Sequence, residues 1–240
     1  RYILENYTYT SGVREIERCV CNIIRRLLRT REVCADTPIE ITEDIIRECL
    51  GMPMLEMDKC PEDSIGVARA LGVYGGHAGT TFGIEVADNP YGSDLEITGL
   101  AKNSFLESIK VAITVAQRML NKEIKKIHIH TADAGTEKDG PSAGITILAA
   151  LLSYMIKQPL GNVAFSGELT LNGQIHAIGG LKEKLIAAER AKTETVYIPM
   201  HNYLEMKGRN ELGLFSLNII PVASISELVS HLFPGYEFNG

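Results

Sequence analysis

The run "PSAGITILAALLSYMIK", Pro141 to Lys157, is apolar at nearly every position. A helix with one apolar stripe lies on a core, whereas a helix apolar all round has to be enclosed by it. The run therefore predicts a helix buried along most of its length. It falls short of the roughly 18 to 20 apolar residues that cross a bilayer. Around it, "SIGVARALGVYGG", "TTFGIEVAD", "KKIHIHTA" and "TVYIP" read as strands, and "NVAFSGELTLNGQIHAIGG" as strands joined by a turn at Asn172-Gly173. "KNSFLESIKVAITVAQRML", "LKEKLIAAERAK" and "ISELVSHLF" read as helices, the first opening on a capping box of Ser104 and Glu107. Helices and strands interleave from residue 63 to residue 240, so this part of the chain is expected to be α/β or α+β.

The first 52 residues differ in character. Val13, Ile16, Val20, Ile23, Ile24 and Leu27 recur at helical spacing, with arginines on the other faces. Entry is expected at Thr10-Ser11-Gly12. A second helix starts at Thr42, which is placed to cap it, and runs to Gly51. Residues 1–52 are thus expected to form a small helical unit, and residues 53–62, bracketed by Pro53 and Pro61, a linker.

The formal charge of −6 argues against nucleic-acid binding, which needs an excess of clustered Lys and Arg. Five cysteines, all in the first quarter of the chain and without a CxxC pair, read as reduced core thiols in a reducing compartment. The opening Arg1-Tyr2-Ile3 is neither an initiator methionine nor a signal peptide, so the chain reads as a C-terminal fragment.

Ser142 has a glycine two residues away on each side, a spacing shared by nucleophile turns and by plain tight helix starts. Asp139 is placed to cap the buried helix and Pro141 suits its first turn. Ser142 would then lie beside backbone N–H groups that lack helical partners and can meet an oxyanion. A nucleophile elbow with a later Asp and His does not fit. No aspartate follows Asp139, and a polar loop from about Ala132 to Gly140 separates the preceding strand from the serine. His128 and His130 alternate on one strand face, but two histidines do not make a zinc site. His176, His201 and His231 lack a local acidic partner.

Lysine is the base that remains. On a helix starting at Leu181, Lys184 falls within the apolar arc of Leu181, Leu185, Ala188 and Ala191, whereas Lys182 falls on its edge. A lysine working as a base near neutral pH needs its pKa lowered by about 3 units, a cost of about 4 kcal/mol that burial can supply. A lysine snorkelling from the helix flank is the competing reading.

Taken together, "KDGPSAG", "SGELTLNGQIHAIGGLKEKLIAAERA" and "TVYIP" resemble the proteolytic domain of the Lon family of ATP-dependent proteases, and "YTYTSGVREIERCVCNIIRRLLR" resembles the small helical subdomain that closes its AAA+ module. The resemblance implies a Lon-type α/β (α+β) protease domain preceded by an all-helical AAA+ subdomain. It makes Ser142 the nucleophile and Lys184 the general base of a serine endopeptidase that acts on unfolded or damaged proteins. Ser166 occupies the place of a family threonine near the lysine, and Asp139 and Glu168 match acidic positions with supporting roles. Arg14 matches a nucleotide-sensing arginine. ATP and Mg²⁺ would serve the full-length protein only, and neither a metal nor a cofactor is expected in this fragment.

A homohexameric ring, no membrane partner, and a bacterial cytoplasm or mitochondrial matrix are further implications of the resemblance. Two stretches depart from the family pattern: "RALGVYGG" stands where a Gly-Leu-Ala-Trp-Thr run is common, and "HTADAGTEKDG" replaces a proline-bearing loop. They leave cleavage preference open. The competing classes are a non-catalytic Lon-like assembly module and a histidine-dependent hydrolase using His176 or His201.

Overall fold

A computed structural model describes residues 2–8, 13–30, 38–53, 64–74, 78–132 and 137–238. The chain divides into two compact units, Arg1–Lys59 and Cys60–Gly240. The expected helix entry at residues 10–12 and all of the expected linker but Pro53 lie outside the described residues.

In the first unit the described residues form α1 (Tyr2–Asn6), α2 (Arg14–Thr30) and α3 (Glu43–Leu50). Thr42 Oγ1 accepts the Ile45 N–H and so caps α3, and Gly51, at φ +89°, ends it. The core of this unit is narrower than the apolar pattern of α2. Cys19, Ile23 and Leu27 are buried with Ile46 and Cys49, while Val13, Val20 and Ile24 remain exposed. Cys19 and Cys49 are buried thiols and Cys21 is an exposed one.

The second unit is a mixed α/β fold. Its sheet comprises β1 (Val67–Tyr74), β2 (Ala78–Asp88), β3 (Leu95–Thr98), β4 (Ile127–Thr131), β5 (Val163–Phe165), β8 (Thr195–Pro199) and β9 (Asn218–Val222) in the order β3-β4-β2-β1-β5-β8-β9. β2 is antiparallel to both of its neighbours and every other pairing is parallel, so six strands run one way and only β2 runs against them. The helices are α4 (Asn103–Leu120), α5 (Gly144–Ile156), α6 (Leu181–Arg190), α7 (Met200–Gly208) and α8 (Ile225–Leu232). β6 (Glu168–Leu169) and β7 (Ile175–His176) form a separate hairpin.

Alternation along the strands assigns the helices to faces. Ala70, Phe165 and Tyr197 join α4, α5 and α8 in one core, and their neighbours Leu71, Ala164, Val196 and Ile198 join α6 and α7 in the other. Residues 144–154 of α5 are all buried, which is why that segment carries no polar face. The hairpin turn spans Thr170–Gly173 and is closed by the Gly173 N–H on Thr170 O, with Gly173 at φ +80°. This is the hairpin turn expected at Asn172-Gly173, and since Thr170 N–H also donates to Gln174 O at 3.1 Å its loop is the three residues Leu171–Gly173. The capping box is corrected. α4 begins at Asn103 without a side-chain cap, and the Ser104 hydroxyl is engaged elsewhere.

Candidate active site

Six strands in one direction bring their C-terminal ends to one edge of the sheet, where loops can converge on a crevice. The loop after β4 returns along the start of α4. Lys138 N–H donates to Leu100 O at 3.0 Å, and Lys102 N–H donates to Lys138 O at 2.8 Å. Gly140 then takes φ +97°, in the left-handed region that favours glycine, and Pro141–Ala143 form one 3₁₀ turn before α5 begins. Ser142 sits in that turn, so it precedes the α-helix and is not part of its first turn.

Asp139 does not cap α5. Its carboxylate accepts the Gly140 N–H at 2.8 Å and the Ser104 hydroxyl. These bonds, the Ser104 one first, hold its pKa below the usual aspartate value. The glycines flanking Ser142 do different things. A Cβ at Gly140 would meet nothing, so its role is conformational, whereas a Cβ at Gly144 would lie 2.8 Å from Leu169 N. The 3₁₀ turn is held from behind by Gly167 N–H on Ser142 O (2.8 Å) and by Ile145 N–H on Gly167 O (3.2 Å).

α6 enters the site from the opposite core. Leu181, Leu185 and Ala188 are buried, and Lys184 between them is 3% exposed. Lys182 stays in solvent, 3.6 Å from Glu211. Lys184 Nζ donates to Ser166 Oγ at 3.0 Å, and Ser166 Oγ donates to Ser142 O at 3.3 Å. Ser166 is fully buried just beyond β5. Burial pushes the Lys184 pKa down from 10.5 to about 8. Among the described residues Lys184 has no acidic partner and no hydrogen bond to Ser142 Oγ.

Ser142 and Lys184 line one cleft of about 930 Å³, with Asp139 and Glu168 on its wall. Leu71, Val73, Phe82 and Phe105 supply apolar surface. Lys138, which the sequence reading did not single out, is also buried here, its Nζ 5.4 Å from the Phe82 ring centre. Its position inside "KDGPSAG" was the available signal.

The histidine candidates of the second unit do not line the cleft. Arg14 is exposed in the first turn of α2, in the first unit. His176 is exposed on β7 opposite Glu168, and His201 is exposed on α7. His128 and His130 flank the Thr98 hydroxyl at 2.8 and 2.7 Å, and the described residues contain no cluster of three metal-ligating side chains. No helix among the described residues is long and apolar enough to cross a membrane.

Residues 40–235 match the Lon protease (S16) C-terminal proteolytic domain. The chain belongs to the Lon protease family. It is 36% identical over 211 residues to a Lon protease of Clostridium acetobutylicum, covering 84% of this chain and 27% of that protein. It is 35% identical over 219 residues to Lon protease 1 of Syntrophobacter fumaroxidans, covering 86% of this chain and 26% of that protein. To the Lon protease of Escherichia coli it is 34% identical over 241 residues, covering 95% of this chain and 30% of that protein. The chain thus spans between a quarter and a third of the length of these Lon relatives, and its cleft lies within the matched proteolytic domain.

Proposed function

We propose that this chain is the proteolytic part of an ATP-dependent serine endopeptidase in which Ser142 is the nucleophile and Lys184 its general base. The observation that carries the reading is Lys184: buried, without a carboxylate partner among the described residues, lowered to about 8, and opening on the cleft that Ser142 lines. Neutral Lys184 takes the Ser142 hydroxyl proton as Ser142 Oγ attacks the scissile carbonyl. The protonated lysine returns that proton to the leaving amine. Water, deprotonated by the same lysine, then releases the acyl group. The developing oxyanion is received at the Ser142 and Ala143 N–H groups, since the amides that follow, Gly144 and Ile145, already serve Pro141 O and Gly167 O. Ser166 keeps Lys184 in the cleft, and Asp139 and Glu168 shape its charge.

The first unit is read as the small helical AAA+ subdomain, from which Arg14 senses nucleotide. The chain contains no Gly-x-x-x-x-Gly-Lys-Ser/Thr phosphate loop, so it contributes this arginine to ATP and Mg²⁺ held by other parts of the full-length protein. Unfolded or damaged proteins as substrates, a homohexameric ring, and a bacterial cytoplasm or mitochondrial matrix complete the reading.

The test is hydrolysis of an unfolded protein by the full-length enzyme with ATP. Ser142→Ala and Lys184→Ala each abolish it while circular dichroism stays unchanged. Activity surviving in either variant overturns the dyad, and a wild type with no hydrolysis favours the assembly-module alternative.

A further inference from the structure

The loop leading to Ser142 is bonded to the segment entering α4 by a short ladder that changes its chemistry where the helix begins. Lys138 N–H donates to Leu100 O and Lys102 N–H to Lys138 O, the alternation of a parallel pair. A further rung of that pattern would put the Gly140 N–H on Lys102 O. That carbonyl is already taken, because it accepts the Leu106 N–H as the first turn of α4 closes, at 2.9 Å. The Lys102 carbonyl is thus committed to the helix, and no backbone carbonyl among the described residues accepts the Gly140 N–H. Ser104 Oγ supplies a replacement, accepting at 2.7 Å a Gly140 N–H that it shares with Asp139 Oδ1 at 2.8 Å, while donating to that carboxylate.

We propose that Ser104 is a positioning residue for the nucleophile, setting the Asp139–Gly140 peptide from which the Ser142 turn departs. Its hydroxyl stands on a rigid base. Phe105, Ile109 and Ala112 of the same helix are buried in the main core. Gly140 is the residue at φ +97° where the chain swings into the turn, so fixing its amide fixes the direction in which Ser142 leaves. The turn is thereby held at both ends, by Ser104 in front and by Gly167 behind. The Ser104 hydroxyl bonds Asp139 and Gly140, not Lys184 or Ser142, and acts through the backbone leading to Ser142. The spacing of Ser104 to Glu107 resembles a capping box, yet the hydroxyl serves a loop 35 residues further on.

This proposal rests on the serine-nucleophile reading above, and the experiment separates the two. In the full-length protein, labelling of Ser142 by a fluorophosphonate probe is followed together with kcat and KM for a peptide. Ser104→Ala is expected to slow labelling and kcat about tenfold, with KM within about twofold of wild type. Ser104→Thr, which keeps the hydroxyl, restores both. Labelling of Ser104→Ala at the wild-type rate, a Ser104→Thr as slow as the alanine variant, or a change confined to KM overturns the proposal. If Ser104→Ala lowers the melting temperature enough to unfold the domain, Ser104→Cys, similar in size and a weaker hydrogen-bonding group, is read by the same criteria. Wild-type labelling that disappears in Ser142→Ala upholds the nucleophile whatever Ser104 does. Hydrolysis that survives Ser142→Ala removes the nucleophile and this proposal together.

Discussion

Lys184 Nζ rests on Ser166 Oγ at 3.0 Å, and the same hydroxyl reaches the carbonyl oxygen of Ser142 at 3.3 Å. The candidate base is thereby tied to the backbone of the candidate nucleophile through one fully buried side chain. A lysine has four rotatable carbons, so an acceptor at its tip limits where the amine can wait between proton transfers.

Removal of that acceptor should therefore act on turnover more than on folding. Ser166→Ala is expected to lower kcat on the order of tenfold, the scale of one hydrogen bond to a charged group. Ser166→Thr should stay close to wild type. Peptide hydrolysis by the two variants is the measurement, and equal losses in both would show that the hydroxyl is not what matters.

The pH profile follows from the burial of Lys184. Its pKa is lowered to about 8, and the unprotonated amine is the form that accepts the serine proton. Activity should rise with pH and level off above about 8, falling about tenfold for each pH unit below it. A log kcat/KM profile measured from pH 6 to 9.5 checks this. A plateau that already begins below pH 7 would be incompatible with Lys184 as the base.

The same burial affects stability, with a definite sign. Below about 8 Lys184 is charged in both folded and unfolded states, and the full cost of burying the charge is present. Between about 8 and 10.5 the unfolded chain holds a proton that the folded one lacks, so stability rises with pH, by at most about 3 kcal/mol. Lys184→Met should abolish hydrolysis yet raise the melting temperature at pH 7. That gap should shrink toward pH 10, as followed by thermal unfolding at the two pH values.

What the sequence disclosed about this fold, and what it did not, has a physical pattern. α5 and Lys184 were legible because burial imposes a pattern on neighbouring residues: no polar face in one case, a lysine within an apolar arc in the other. β3 went unread because it has only four residues, Leu95–Thr98, with Glu96 among them. β9 carries Pro221, and α7 buries only Asn202 and Met206, so neither shows a clean period. Ser104 carried a local signal for a different role, since its partners, Asp139 and Gly140, meet it only through tertiary structure. Asp139 likewise had the spacing of a helix cap, but a 3₁₀ turn intervenes before α5.

The two glycines around Ser142 should separate cleanly under mutation, because one is needed for its backbone and the other for space. Gly144→Ala drives a Cβ to 2.8 Å from Leu169 N and 2.9 Å from Leu169 Cβ, both held by the β6 hairpin. The start of α5 or the hairpin has to shift, which should cost about 1–3 kcal/mol and lower the melting temperature. Gly140→Ala meets no atom, but its φ of +97° is strained for alanine, at a cost of about 1–3 kcal/mol that the backbone at this position, with open space around the new Cβ, can relieve by changing conformation. Relief at Gly140 reorients the turn carrying Ser142. Gly140→Ala should therefore lose most of its kcat with a small fall in melting temperature, whereas Gly144→Ala should lose stability at least as steeply as activity. Thermal unfolding and peptide kinetics on both variants give the comparison, and a Gly140→Ala enzyme with unchanged kcat would show that the turn does not depend on this peptide.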